Sequence, residues 1–121
     1  MRQMYIDSWS DLKIAGHSGY VFSERVRTGE VLHVQNCYAH APNRAASAII
    51  QIGIRNGSKD VLIRARGGAI AKEGMSSLND FFLGEGDQVF AYFPDAAEDD
   101  TIELHVIGVL YDLKSWRTFG E

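Results

Sequence analysis

The stretch Thr101-Ile102-Glu103-Leu104-His105-Val106-Ile107-Gly108-Val109-Leu110-Tyr111 decides the fold class. Ile102, Leu104, Val106 and Leu110 share one parity, and Glu103 and His105 take the other. A β-strand sends successive side chains to opposite faces, so this spacing predicts a long strand with one face in a core. Working backwards, Ser47 to Arg55 carries Ile50, Ile52 and Ile54 on one face. Val31 to Tyr38, Asp60 to Arg66 and Gln88 to Phe93 are rich in β-branched and aromatic residues, as strands are. Tyr20 to Val26 and Leu78 to Leu83 are shorter candidates. Thr28-Gly29-Glu30, Asn56-Gly57 and Gly84-Glu85-Gly86-Asp87 punctuate these runs, and Pro94 stops one. Asn56-Gly57 is a hairpin signal, with Ser58-Lys59 expected to lengthen the loop. Gly67-Gly68 is expected to break the chain, leaving Ala69 to Lys72 as a short edge piece. Glu73 to Ser77 reads as a loop.

No amphipathic helix of useful length interrupts this series. The expected fold is all-β, an antiparallel β-sandwich following a jelly-roll or Greek-key path. Residues 19–113 form that domain, with an N-terminal arm at 1–18 and a tail at 114–121. The arm holds Met4, Tyr5, Ile6, Trp9, Leu12 and Ile14 without a sustained helical or strand period. Ser8 to Leu12 is expected to start a short helix, capped by Ser8 or Ser10. Large apolar groups at chain ends, here Tyr5, Ile6, Trp9, Trp116 and Phe119, point to docking on a partner.

Composition narrows the function. The chain has 121 residues, 45% of them apolar, 11% aromatic and 23% charged, with a net charge of −4. One domain suits that length. An acidic balance does not suit a nucleic-acid phosphate backbone. No run approaches the ~20 apolar residues of a membrane span, and no apolar stretch follows Arg2 as in a signal peptide. A single cysteine fits a reducing compartment, so synthesis in the cytoplasm is expected.

No constellation names a reaction. His17, His33, His40 and His105 include no His-x-His pair, so no metal is expected to be needed for folding. Register decides whether His33 meets Glu103 or His105. Cys37 reads as a buried apolar thiol, too far along its strand from His33 to be paired with a base. No Gly-x-Ser-x-Gly elbow, P-loop or dinucleotide fingerprint occurs. No catalytic residue, metal ligand or cofactor is therefore assigned. Asp95, Glu98, Asp99 and Asp100 read as a solvated loop, with Ca²⁺ as the alternative. Arg25, Arg27, Lys59, Arg64 and Arg66 read as a basic face for an acidic partner.

Three runs carry a family likeness. They are Thr28-Gly29-Glu30-Val31-Leu32-His33-Val34-Gln35-Asn36, Ile50-Gln51-Ile52-Gly53-Ile54-Arg55-Asn56-Gly57, and Leu83-Gly84-Glu85-Gly86-Asp87-Gln88-Val89-Phe90-Ala91-Tyr92-Phe93. The chain resembles the small β-sandwich accessory proteins of tailed-phage virions, of the capsid decoration or cement type. The resemblance implies a non-enzymatic virion protein, made in the host cytoplasm, that binds and stabilises a capsid shell. Its implied partners are further copies of itself, a trimer being favoured, and the major capsid protein or another virion protein, with no nucleic acid and no membrane. The partner-binding candidates are Tyr5, Ile6, Trp9, Arg25, Arg27, Arg64, Arg66, Trp116 and Phe119. The alternative is a carbohydrate- or receptor-binding sandwich using Tyr20, Tyr38, Tyr92 and Tyr111. A metal-dependent cupin-like enzyme is the weakest reading.

Overall fold

The computed structural model of the chain describes residues 2–12 and 19–112. Nine strands and no helix occur among them. The strands are β1 (Arg2–Leu12), β2 (Tyr20–Phe22), β3 (Glu30–His40), β4 (Ser47–Asn56), β5 (Lys59–Ile70), β6 (Met75–Ser76), β7 (Phe81–Leu83), β8 (Asp87–Tyr92) and β9 (Thr101–Asp112). One sheet has the order β1-β9-β3-β6, with β7 also on β3, and the other has the order β2-β8-β4-β5. All pairings are antiparallel. β1 pairs with β9, β2 with β8, β3 with β6 and β7, and β4 with β5, so the pairings nest inside one another. A long hairpin rolled up on itself gives that order, and it is the jelly-roll path.

The core lies between the sheets. Ile102, Leu104 and Val106 of β9 face Ile50 and Ile52 of β4 and Val89 and Ala91 of β8 across it, all essentially excluded from solvent. Each large apolar side chain so buried contributes roughly 1.5–3 kcal/mol. The parity read from Ile102, Leu104 and Val106 is the parity observed.

Four local expectations are corrected. Ser8 to Leu12 is not helical but the end of β1, which pairs with β9 from Arg2↔Tyr111 to Leu12↔Thr101. Gly67-Gly68 does not end β5. Ala48 pairs with Ala69 and Ile50 with Arg66, so the two glycines fill a bulge, and Gly68 takes the positive φ that such a bulge asks of glycine. The β4–β5 connection is tighter than expected, since Asn56 pairs with Lys59 and only Gly57-Ser58 turn the corner. Positive φ at Gly57 suits the first position of a two-residue hairpin turn. Met75–Ser76 lies inside the expected loop and is a short strand on β3.

A further bulge shapes β3. Val34 pairs with Gly108 and Asn36 with Ile107, so Gln35 is the extra residue. Val34 points inward before it, and Cys37 and Ala39 point inward after it. The bulge thereby turns Tyr38 and His40 to the outer face.

Cys37 is fully buried, and burial pushes its thiol up from 9.0 to about 12. The folded state holds the proton that the unfolded chain releases near pH 9. This contribution to stability is therefore complete below about pH 9 and is lost as pH rises towards 12. At pH 8 the native thiolate fraction is about a thousandfold below that of the unfolded chain. A chromogenic disulfide reagent should label Cys37 rapidly in denaturant and at least that much more slowly without it. Complete labelling of native protein within minutes would contradict the burial.

Candidate functional site

The outer face of the β1-β9-β3 sheet carries the densest group of chemically capable side chains. Alternation along β9 turns Glu103 and His105 outward, opposite the buried Leu104. Across the ladder Tyr38 faces His105 and His40 faces Glu103. On the other side Ser8 faces His105. His40 Nε2 lies 3.0 Å from Glu103 Oε1 and 3.1 Å from His105 Nε2. His105 Nε2 is 3.3 Å from the same carboxylate oxygen. His105 Nδ1 is 2.6 Å from Ser8 Oγ. The Tyr38 ring packs beside both imidazoles, and its hydroxyl donates to the Glu73 carbonyl.

This trio is the group among the described residues that is able to hold a metal ion. Register, which decides whether His33 meets Glu103 or His105, places His40 beside them instead. His33 faces Val109, bonds Asp80 at 2.8 Å and stacks on Phe82. The His33 hydrogen bond holds the Asp80 carboxyl below the usual carboxylate range. A search for two histidines on one strand misses the site because its ligands come from two strands. Glu103-Leu104-His105, with two donors sharing a face, was the available signal.

The candidate docking residues fall in different places. Ile6 is exposed on the outer face of β1. Tyr5 and Trp9 point the other way and pack against the core, so they belong to the sandwich itself. Tyr5 lines a cleft of about 220 Å³ with Arg25, Arg27, Glu24 and Glu30. Burial, helped by Glu24, Asp7 and Glu30, pushes its phenol up to about 12. Arg64 and Arg66 lie on β5 of the other sheet, with β4 and β8 between them and β2. Arg64 donates to the Ser76 carbonyl at 2.8 Å. Arg25 and Arg27 are thus grouped by the cleft, while Arg64 and Arg66 sit apart from it. Trp116, Phe119 and His17 lie outside the described residues.

The acidic loop is tied to the protein. Arg44 reaches Asp100 Oδ2 at 2.8 Å and Asp95 Oδ2 at 3.3 Å. The Ile49 and Ala97 amides donate to Asp95 and Asp100. Those two carboxylates close the loop onto the β3–β4 connection, with the Arg44 guanidinium as their counter-charge.

The sequence matches no protein-family model and no curated protein. Among solved structures it is similar to the Drosophila NLP core, described for pentamer formation and histone binding, at 12% identity and TM-score 0.45, covering 86% of this chain and 95% of that one. The nucleoplasmin-like N-terminal domain of Drosophila FKBP39 gives 14% and 0.46, covering 93% and 91%. A virus-like particle of the extra small virus of the prawn Macrobrachium rosenbergii gives 10% and 0.41, covering 90% and 79%. At these scores the likeness is one of general sandwich shape, and no function follows from it.

Proposed function

We propose that the chain is a non-enzymatic structural protein of a virion, a self-associating jelly roll that binds a capsid shell as a decoration or cement subunit. The observation that supports this reading is the apolar outer face of the β1-β9-β3 sheet. Met4 and Ile6 of β1 are each 69% exposed, Phe82 of β7 62% and Ile107 of β9 41%. Ile6 pairs with Ile107, Met4 with Val109, Val109 with His33 and His33 with Phe82, so these side chains form one continuous stripe. Monomeric proteins rarely leave such a surface bare. The stripe continues to the open edge of β1, and β5, the other long edge, exposes Val61, Leu62 and Ile70. Long apolar edges invite pairing with another chain unless they are covered. The occupant that fits first is a second copy, in a closed ring of three.

A sugar-binding module is less well supported. Tyr20 stacks on Tyr92 and Phe22, and the Arg55 guanidinium lies over Tyr20 and Phe22. Those ring faces already engage one another, whereas a sugar needs a free one.

Sedimentation of the purified chain at micromolar concentration is expected to give a multiple of 13.5 kDa, with three copies the first expectation. Ile6→Asp should shift the mass towards the monomer while leaving the fold intact, because the side chain projects outward. Where a major capsid protein is encoded beside this chain, shells assembled from that protein should carry the chain into the pellet. A monomer that passes such shells without binding would overturn the proposal.

A further inference from the structure

We propose that His40 Nε2, His105 Nε2 and Glu103 Oε1 bind one divalent transition-metal ion of the zinc type, with a further coordination position open to solvent. The three atoms form a nearly equilateral triangle of 3.0, 3.1 and 3.3 Å. Zinc binds imidazole nitrogen and carboxylate oxygen at about 2.0–2.2 Å, so neighbouring donors of a tetrahedral site stand about 3.3–3.6 Å apart. For cis donors of an octahedral site the same bonds give about 2.8–3.1 Å. The triangle spans these ranges with little or no rearrangement of the strands. Two imidazoles and one carboxylate are a donor set for zinc and its neighbours rather than for calcium or magnesium, which prefer all-oxygen shells.

Hydrogen bonding alone serves the triangle poorly. Suppose His105 carries its proton on Nδ1 and donates to Ser8. Its Nε2 lone pair then faces the Glu103 carboxylate, acceptor against acceptor. With the proton on His105 Nε2 and that of His40 on Nδ1, the His40 Nε2 lone pair faces the carboxylate at 3.0 Å in the same way. Suppose instead that both rings carry the proton on Nε2. Then His40 and His105 both donate to one oxygen while their own N–H groups crowd each other at 3.1 Å. A cation at the centre makes all three approaches favourable at once.

The surroundings suit a metal as well. Ser8 Oγ is placed to accept from His105 Nδ1–H, which leaves Nε2 free as a ligand, the usual task of a residue behind a metal-bound histidine. Tyr38 packs beside both rings and limits their rotation. The three ligand side chains are 17%, 28% and 33% exposed for His40, Glu103 and His105, sheltered yet open to an arriving ion. The ion would join β3 to β9 on the outer face of the sheet. The core is formed without it, so binding would add to the fold rather than be required for it.

The test is calorimetric titration of the full chain, stripped with a chelator, with Zn²⁺. One ion per chain is expected, with a rise in melting temperature. Co²⁺ at one equivalent should give visible absorption bands of a protein-bound ion. His40→Gln combined with His105→Gln should weaken the site at least 100-fold, as should Glu103→Gln combined with His105→Gln. Ser8→Ala should weaken it about 10–100-fold. His33→Ala should leave it unchanged. All these side chains lie on the outer face, and circular dichroism of each variant checks that the sandwich persists. Absence of saturable binding near one equivalent, or binding retained in both folded double variants, would overturn the proposal.

Discussion

Removal of residues 1–12 is expected to abolish cooperative thermal unfolding. β1 covers the whole length of β9, from Arg2↔Tyr111 to Leu12↔Thr101. It turns Tyr5 and Trp9 onto the core. Without it β9, the central strand that carries Leu104 and Val106, becomes an unpaired edge. Trp9→Ala is the milder version of the same experiment. Truncating a buried aromatic costs about 3–5 kcal/mol, and for a half-buried Trp9 about 2–3 kcal/mol is expected. Ile6→Ala, on the exposed parity of the same strand, should stay within about 0.5 kcal/mol. A deletion variant that still melts cooperatively near the temperature of the whole chain would show that β1 is a detachable arm, as its sequence suggests, and would return Tyr5 and Trp9 to the docking surface.

The second large effect is expected at Gly108. This glycine is buried in β9 opposite Val34, where the β3 bulge begins. A Cβ there would be driven into the backbone carbonyl of His33 and against the Val34 Cα. Backbone cannot swing aside as a side-chain tip can, so relief must come from separating β3 and β9. Gly108→Val is expected to cost about 3 kcal/mol, the upper end for overpacking, and to lower the melting temperature by roughly 10 °C. Gly84→Ala is the matched control, because a Cβ at Gly84 meets nothing within 4 Å. Equal melting of the two variants would mean that the strands are not so closely opposed.

The contrast between these elements explains what the sequence allowed one to read. β9 and β4 are legible because Ile102, Leu104 and Val106, and likewise Ile50 and Ile52, keep one parity on a dry face, although Ile107, Val109 and Ile49 fall on the other. β1 hides the same alternation. Its outward positions include Met4 and Ile6, and its inward positions include Asp7 between Tyr5 and Trp9. Apolar residues on both faces and a carboxylate on the inner one erase the period. β6 was missed because two residues carry no period at all. The nesting of the strands was not legible, since pairing across the chain leaves no local trace. The histidine–glutamate cluster was half legible. Glu103 and His105 shared a face in the sequence alone, whereas His40 joined them through register.

The bulge at Gln35 has a consequence for how such a protein can change over generations. Substituting Gln35 leaves the alternation of β3 intact. Deleting it would exchange the faces of every residue from Asn36 to His40, presenting Cys37 and Ala39 to water and driving Tyr38 and His40 into the core. The outer cluster is therefore inherited as a count of residues as much as a choice of them. A lineage that lost one codon here would lose the meeting of His40 with Glu103 and His105 while still encoding all three.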